Sequence, residues 1–486
     1  MDTQDQSQSG RSLLSELLEA PGLNSEKPTD RRAFTELLEG ILKQQTRTTA
    51  KIAIEKVDDL IVALDQKLSD QVNELMASAP VKALETTWRG AKYLVDAVDF
   101  RENIRLELVN ASKQDLQEDF DNAPEVVESG LYRTLYREAL GVYGGKPYGV
   151  VCSTHDFGPG SEDVSLLKSC AAVAAMSHVP LLSNASAAMF GKDSFQDIPD
   201  LKDMQSHFED PRYATWNDFR LSEDARYVGL CVPRFLLRAP YGSRESELSV
   251  KGFDFGEDVI DQHERYLWAP ASLALTANIA SSFAKYRWCP NIIGPQAGGA
   301  VDGLPLHQYD QDGETKTVNP CEAPIEMRKE FEFSQQGFIP LVHKQGTTRA
   351  VFFSANSTQK PKVFPKTEEG LNAQRNFMLG TRLPYMFVIT RLSHYIKAIV
   401  TEKIGKNMES ADLERELKDW LRQYVADMDN PHPDIRAKRP LRQASVTVEE
   451  VPGQVGWYRC DLKLRPHFKF EGASFELSLV GKIDKK

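Results

Sequence analysis

The chain has 486 residues, of which 41% are hydrophobic and 27% are charged, and it carries a net charge of −11. These totals are typical of a soluble globular protein with about three domains. The acidic balance argues against nucleic acid as a main partner, because binding to phosphates needs a basic surface.

The sequence predicts a cytoplasmic protein. Its start, MDTQDQSQSG, is polar and acidic and lacks the basic and apolar regions of a secretory signal. The most apolar long window, residues 169–190, is interrupted by His178, Pro180 and Asn184, which favours a buried helix followed by a strand over a membrane span. The six cysteines are scattered along the chain, so we expect reduced core cysteines rather than disulfides or metal ligands.

A helical arm is predicted near the N-terminus, at residues 48–77. Its apolar residues recur every three or four positions, and the resulting stripe is narrow. The stripe includes Ile54, Val57, Ile61, Leu64 and Leu68. Two interpretations stay open at this point. The helix packs on its own domain, or it is an arm that packs on another subunit, since so narrow a stripe suits a seam between helices.

The chain then alternates between helix and strand patterns. Helices are predicted over 86–98, 124–140, 162–177 and 271–288, and strands over 103–110, 146–154, 178–184 and 225–233. We expect the first of these helices to bury Trp88, Ala91, Val95 and Val98. The strand–helix–strand order predicts an α/β sheet with right-handed crossovers.

Two further elements follow before the C-terminal region. Residues 337–342 and 349–356 read as the two strands of a hairpin, since both are short apolar runs. Residues 381–404 are apolar around much of the helical circumference, so this helix is expected to be central.

The C-terminal region reads as one amphipathic helix and a small sheet. The helix is predicted over 411–428, with Ser410 as its N-cap and Pro431 beyond its end. Strand patterns over 445–451, 457–464 and 473–480 alternate apolar and polar residues, which indicates one dry face and one wet or partner-facing face. So small a sheet has open edges, and either the domain closes it or strands of other chains join it.

The sequence offers no convincing catalytic, cofactor or metal site. It contains neither a GxxxxGK[ST] motif nor a GxGxxG motif between a strand and a helix. Cys152, His155 and Asp156 lie together at a strand end, but nothing in the sequence supplies an orienting third group or oxyanion donors. A structural protein is therefore favoured, and a cytosolic α/β enzyme with a cleft near these residues is the alternative.

Long stretches of the chain resemble the large subunit of the type VI secretion contractile sheath (the TssC or VipB type). Two of them read FAKYRWCPNIIGPQAGGAVDGLPLH and LPYMFVITRLSHYIKAIVTEKIG, at residues 283–307 and 383–405. The others are residues 88–120, 222–238, 352–362 and 439–482. The resemblance runs in order along almost the whole chain and is weakest over residues 1–50.

The resemblance implies a tail-sheath-like α/β (α+β) subunit with several domains. These would be an N-terminal tail and arm (1–80), an α/β sheath-wall region (81–240), an outer α+β region with long loops (241–380) and an inner-wall domain (381–486). The subunit would pair with a small sheath subunit (TssB or VipA type) and stack with its own copies around an inner tube (Hcp type). A baseplate and a ClpV-type unfoldase, the latter reached through the small subunit, complete the implied partners. No nucleic acid, membrane insertion or cofactor is implied.

The resemblance also implies roles for particular residues. In such sheaths, strands from neighbouring subunits complete the C-terminal sheet. The residues expected to take part are Val446, Val448, Trp457, Tyr458, Leu462, Leu464, Phe475, Leu477 and Leu479. The polar face of the helix at 411–428 is the candidate contact with the inner tube, through Arg415, Lys418, Asp419 and Arg422, although a merely solvated face stays equally open. The basic run at 435–442 is a second candidate contact, for an acidic neighbour.

Overall fold

The computed structural model describes residues 54–246, 255–404, 409–426, 428, 431–451, 458–467 and 477–482. They divide into two compact units. The smaller unit contains most of the helical arm, together with the described parts of Ala239–Tyr266 and Gln308–Gly313. The larger unit contains Ala83–Arg238, Leu267–His307 and the described residues from Glu314 onward.

The described helices are α1 (Ile54–Ala77), α2 (Ala79–Ala97), α3 (Lys113–Asn122), α4 (Ser161–Ser177), α5 (Met204–Phe208), α6 (Ala214–Leu221), α7 (Ala271–Tyr286), α8 (Met327–Gln335), α9 (Glu368–Gly380), α10 (Leu383–Lys403), α11 (Ser410–Arg422) and α12 (Pro433–Lys438). The described strands are β1 (Val151–Phe157), β2 (Leu181–Ala185), β3 (Val228–Val232), β4 (Phe235–Leu236), β5 (Trp268–Ala269), β6 (Ala300–Val301), β7 (His307–Gln311), β8 (Glu314–Val318), β9 (Phe338–His343), β10 (Ala350–Phe352), β11 (Leu441–Glu450), β12 (Tyr458–Pro466) and β13 (Leu477–Lys482).

A mixed six-stranded sheet forms the centre of the larger unit, in the order β1-β2-β3-β9-β10-β6. β1, β2, β3 and β9 run parallel, whereas β10 is antiparallel to both of its neighbours. All residues of β2 and β3 are buried, as expected of parallel strands that helices cover on both faces. One core contains Leu167 of α4 with Leu181 and Leu230, and a second contains Leu275 of α7 with Leu182 and Cys231. The predicted α/β sheet and the predicted hairpin of β9 and β10 are thus confirmed.

The predicted central helix is also confirmed, as α10. Most of its residues are buried, because it contributes both to the sheet cores and to a third core in the C-terminal region. Contacts between aromatic rings connect α10 to α11. The rings of Tyr395 and Trp420 lie 5.9 Å apart, and those of Trp420 and Tyr424 lie 5.1 Å apart. This contact places α11 against α10 and next to the C-terminal sheet.

Two predicted elements near the start of the larger unit are wrong. Residues 103–110 are not a strand, since they form no ladder with any of the described strands. Residues 124–140 are not one helix but short helical turns followed by a π-helix at Arg133–Glu138. Both errors arise because the local pattern of residues is insufficient. It does not show whether a neighbouring strand is present for pairing, or whether a helical segment is an α-helix or a π-helix.

The face that α2 buries was also predicted wrongly. Trp88 and Val95 are 64% and 43% exposed. The helix instead buries Gly90 and Leu94. A Cβ atom added at Gly90 would lie 2.7 Å from a methyl group of Leu273, so the missing side chain allows α2 to approach α7 on this face.

The helix predicted at 411–428 is shorter, at Ser410–Arg422, and Glu409 rather than Ser410 is its N-cap residue. The chain leaves the helix because it pairs with the start of β11. Val425 forms a parallel bridge with Leu441, and the N–H of Ala426 donates to the Leu441 carbonyl at 2.9 Å.

Candidate assembly interfaces

The C-terminal sheet contains β11, β12 and β13 in that order, all antiparallel. β12 is the middle strand, so both of its sides are occupied within this chain. Leu462 lies opposite Val446 on one side and opposite Leu479 on the other. Leu464 likewise lies opposite Leu477. Among the described strands, the two edges of this sheet are therefore the outer sides of β11 and β13.

One face of the sheet is dry. Val446, Val448, Leu462 and Leu464 are buried in the C-terminal core, and Tyr458 is partly buried against it. Leu413, Leu417 and Leu421 of α11 cover these side chains, together with Leu392 and Ile396 of α10. On the other face, residues such as Ser445, Thr447 and Lys463 are exposed. The predicted division into a dry and a wet face is present, but α11 and α10 of the same chain already cover the dry face. Trp457 and Phe475 lie outside the described residues.

The outer side of β11 is only partly covered. The backbone N–H of Val448 donates to Oε2 of Glu414 at 3.0 Å, so it faces away from β12. Because N–H groups alternate sides along an antiparallel strand, those of Val446 and Ala444 face the same way. Within the part of the chain that the structure describes, these two outward N–H groups have no hydrogen-bond acceptor. The carboxyl of Glu414 also accepts a hydrogen bond from the Lys418 ammonium. The hydrogen bond from Lys418 has the larger effect and that from the Val448 N–H the smaller, and together they lower the pKa of Glu414 below its usual range.

The charged face of α11 is already paired within the helix. Arg415 contacts Asp412 at 2.6 Å, and Arg422 contacts Asp419 at 3.0 Å. Lys418 pairs with Glu414. Arg415 and Arg422 are exposed to solvent, so these pairs contribute little to stability and exchange easily for other partners. The face can therefore exchange these pairs for contacts with a charged neighbour.

The basic run at 435–442 forms α12 and the start of β11. Arg436, Lys438 and Arg439 are exposed, and no ion pair is formed by these three in the described structure. Ala437 and Leu441 are buried and anchor the run, which makes it a fixed cationic surface.

The arm helix exposes its apolar stripe. Ile61, Leu64 and Leu68 are 47%, 43% and 39% exposed. The C-terminal end of α1 is held within the smaller unit, where Asn73 exchanges hydrogen bonds of 3.2 Å with Gly256 and Asp258. The side chains of Ile54 and Val57 lie outside the described residues. The exposed stripe favours the interpretation of an arm, which stays a prediction.

Comparison with known proteins then identifies the family. The family model described as EvpB/VC_A0108, tail sheath N-terminal domain, matches residues 58–359. A second model, EvpB/VC_A0108, tail sheath gpW/gp25-like domain, matches residues 372–483. The curated type VI secretion system sheath protein TssC1 of Pseudomonas aeruginosa is 38% identical over 445 residues, which are 90% of this chain and 88% of that protein. The chain belongs to the VipB tail sheath family.

In this sheath protein, the residues of the enzyme alternative are not assembled into a catalytic pair. Hydroxyls of Thr276 and Ser272 lie within hydrogen-bond reach of the Cys152 thiol, whose pKa burial raises. His155 instead places Nε2 3.0 Å from the carbonyl oxygen of Ala111, and burial lowers its pKa. No hydrogen bond joins Cys152 to His155 in the described structure. The thiol is therefore protonated and has no base beside it.

Asp156 of the sheath protein is buried near an ion pair. Burial raises the pKa of its carboxyl to about 6, with the charges of Arg234 and Glu322 acting in opposite directions. Among the residues that the structure describes, its Oδ1 has no hydrogen-bond partner. Arg234 and Glu322 pair with each other at 2.5 Å. None of the helices that the structure describes is long and apolar enough to span a membrane.

Proposed function

We propose that this chain is the large structural subunit of a type VI secretion contractile sheath in the cytoplasm. It polymerises with a small sheath subunit and with copies of itself around an inner tube, and contraction drives the tube outward. The observation that carries this proposal is the match of sheath-family models over residues 58–359 and 372–483. Contacts with a baseplate and, through the small subunit, with a ClpV-type unfoldase belong to the proposal on family resemblance alone.

In this proposal, neighbouring subunits add strands to the C-terminal sheet. The outward N–H groups of Ala444 and Val446 have no acceptor among the described residues, which supports a docking position on β11, since an open edge recruits strands. The outer side of β13 offers the second position. Strand pairing of this kind holds rings together while the rigid bodies of the subunits rotate between two packings. The residues of the dry face then contribute to docking without contacting the added strand, because they hold β11 and β13 in register with β12.

The arm and the charged helix complete the assembly. The stripe of Ile61, Leu64 and Leu68 packs on helices of the small subunit, which its exposure supports. The face of α11 that carries Arg415, Lys418, Asp419 and Arg422 contacts the tube by exchange of its exposed ion pairs. Such pairs contribute about 0–1 kcal/mol each, so the tube is held and then released.

Co-expression with the small sheath subunit tests the function directly. Electron microscopy of the product is expected to show long hollow tubes that contain both chains. Discrete particles of constant mass, formed by the same two full-length chains at the same concentration, would contradict the proposal.

A further inference from the structure

A stretch of acidic surface lies on α3 and on the turn that follows it. Residues 114–128 contain six acidic residues and neither lysine nor arginine. The apolar side of α3 faces inward, where Leu116 and Phe120 pack against the core that contains α4. The opposite side of the helix is therefore presented to solvent. We call the exposed carboxylates of this stretch the acidic surface, which consists of Glu118, Asp121, Glu125 and Glu128.

The acidic surface carries its charge without a cation. Glu118 and Asp121 each accept a hydrogen bond of 2.9 Å, but the donors are neutral glutamine amides four residues earlier on the helix. Lys113, at the start of α3, pairs instead with Asp163 at 2.6 Å. Within the described ranges, none of the four carboxylates forms an ion pair. Their mutual repulsion raises the free energy of the lone chain, and a cationic neighbour would lower it.

The basic run at 435–442 has the opposite charge and is equally uncompensated. It contains four basic residues and no acidic one. Its exposed part, which we call the basic surface, consists of Arg436, Lys438 and Arg439, and these three form no ion pair with any residue that the structure describes. The buried side chains of Ala437 and Leu441 hold the run in place. The basic surface therefore has a fixed position from which to meet carboxylates.

We propose that the basic surface of one copy of this chain contacts the acidic surface of the next copy. The inference rests on the proposed function, and it assigns a contact between copies that is separate from the edges of the C-terminal sheet. Three cations then meet four carboxylates, so each surface supplies the charge that the other lacks. Arg436 and Arg439 can each bind a carboxylate through two parallel N–H groups, which fixes orientation as well as charge.

A second copy is the favoured partner because every chain carries both surfaces, on different elements. In the part of the chain that the structure describes, no ion pair joins one surface to the other, so both stay available. A contact between two different surfaces repeats with all copies pointing the same way, and it continues as an open helical row unless it closes into a ring. Nucleic acid is a poorer partner for the basic surface, because the chain has a net charge of −11.

Two charge-reversed variants of the full chain test the contact. The basic-reversed variant carries Arg436→Glu, Lys438→Glu and Arg439→Glu. The acidic-reversed variant carries Glu118→Lys, Asp121→Lys and Glu125→Lys. All six side chains are exposed, so the Tm of each variant should stay within about 4 °C of the parent. Each variant is co-expressed with the small sheath subunit, and the yield of sedimenting tubes is measured and checked by electron microscopy.

We expect either variant alone to yield at least about 10-fold fewer tubes than the parent, because like charges then face each other. Co-expression of both variants should restore the yield to within about 2-fold of the parent, since the reversed basic surface of one then meets the reversed acidic surface of the other. A folding defect or a contact with a different protein is not repaired by such mixing.

The matched control makes the same change of net charge at exposed positions elsewhere. It carries Arg101→Glu, Arg212→Glu and Arg328→Glu. We expect this control to form tubes as the parent does. A loss equal to that of the basic-reversed variant would trace the effect to net charge and overturn the inference.

Cross-linking of parent tubes tests the contact without a substitution. The tubes are assembled from chains labelled with light or heavy nitrogen and treated with a carbodiimide, which joins a lysine directly to a carboxylate that it contacts. We expect Lys438 to be linked to the acidic surface in peptide pairs that combine both labels, because the two surfaces belong to different copies.

The opposite results are equally definite. Normal tube yield from either variant alone would overturn the inference and leave the proposed function standing. So would a loss that co-expression of the two variants does not reverse, or a Lys438 that is linked only to the small subunit. Absence of tubes from the parent chain with its small subunit would contradict the proposed function, and this inference with it.

Discussion

Glu414 covers one backbone position on the outer side of β11, where its carboxylate accepts the N–H of Val448 at 3.0 Å. The two residues are 34 positions apart in sequence, and the contact ties helix α11 to the sheet edge. The neighbouring outward N–H groups, those of Val446 and Ala444, have no acceptor among the described residues. Glu414 thus limits the docking position to the part of β11 that precedes Val448.

Replacement of Ala444 by Pro tests this edge. Pro removes an outward N–H that has no acceptor in the described part of the chain, and edge strands tolerate Pro. We expect the Tm of the lone chain to stay within about 4 °C of the parent, which corresponds to roughly 1 kcal/mol, while tube formation with the small subunit is lost. The control is Ser445→Pro, which removes an N–H facing Lys463 on β12 and should lower the Tm clearly. If Ala444→Pro forms normal tubes, strands do not dock on this edge.

The arm is tested by the triple change Ile61→Ser, Leu64→Ser and Leu68→Ser. These side chains are already about 40% exposed in the lone chain, so its Tm should hardly change. Binding of the small subunit should weaken by about 100-fold, since each side chain loses roughly 1 kcal/mol of burial in the interface. The measurement is a binding titration. Val62→Ser, which alters an exposed residue outside the stripe, is the matched control. Equal affinities of the triple variant and the control would exclude the arm contact.

The elements predicted best from the sequence are those with long, regular patterns. The helix predicted at 162–177 is α4, and the one predicted at 381–404 is α10, each within two residues at either end. Strand patterns in the C-terminal region also placed the dry face correctly. These features depend on the period of apolar residues, which is a local property.

The features of the fold that were not predicted from the sequence depend on long-range contacts. Residues 103–110 have the pattern of a strand, but no neighbour forms a ladder with them in the described structure. The buried face of α2 was misjudged because Gly90, with no side chain, decides which face meets Leu273. The contact of Glu414 with Val448 has no signal in the sequence, since either an exposed or a capping role fits a Glu on the polar face of a helix.

The contact with the inner tube is tested by charge reversal on α11. Arg415→Glu, Lys418→Glu and Arg422→Glu together should weaken co-sedimentation with the tube at low salt, and the difference should shrink at high salt as charges are screened. Lys92→Glu is the matched control, because Lys92 also forms an exposed ion pair within a helix, with Asp96. Unchanged co-sedimentation of the triple variant at low salt would discard this assignment.

The raised pKa of Asp156 predicts that the stability of the protein depends on pH. Its folded pKa of about 6 lies above the ordinary value of 3.8, so the folded state binds the proton more tightly than the unfolded state. Stability from this group is present below pH 4 and is lost as the pH rises to about 6. We expect Asp156→Asn to raise the free energy of unfolding by up to about 3 kcal/mol at pH 7.5, and the gain to vanish below pH 4. Denaturation at several pH values measures this, and a gain that is independent of pH would contradict the assigned cause.

Completion of the C-terminal sheet by neighbouring subunits is tested most directly by a reconstruction of the assembled sheath at a resolution that traces β-strands. We expect a strand of a neighbouring polypeptide to be hydrogen-bonded to the outer side of β11 or β13. A sheet that still contains only β11, β12 and β13 in the intact tube, with both outer sides facing solvent, would contradict it.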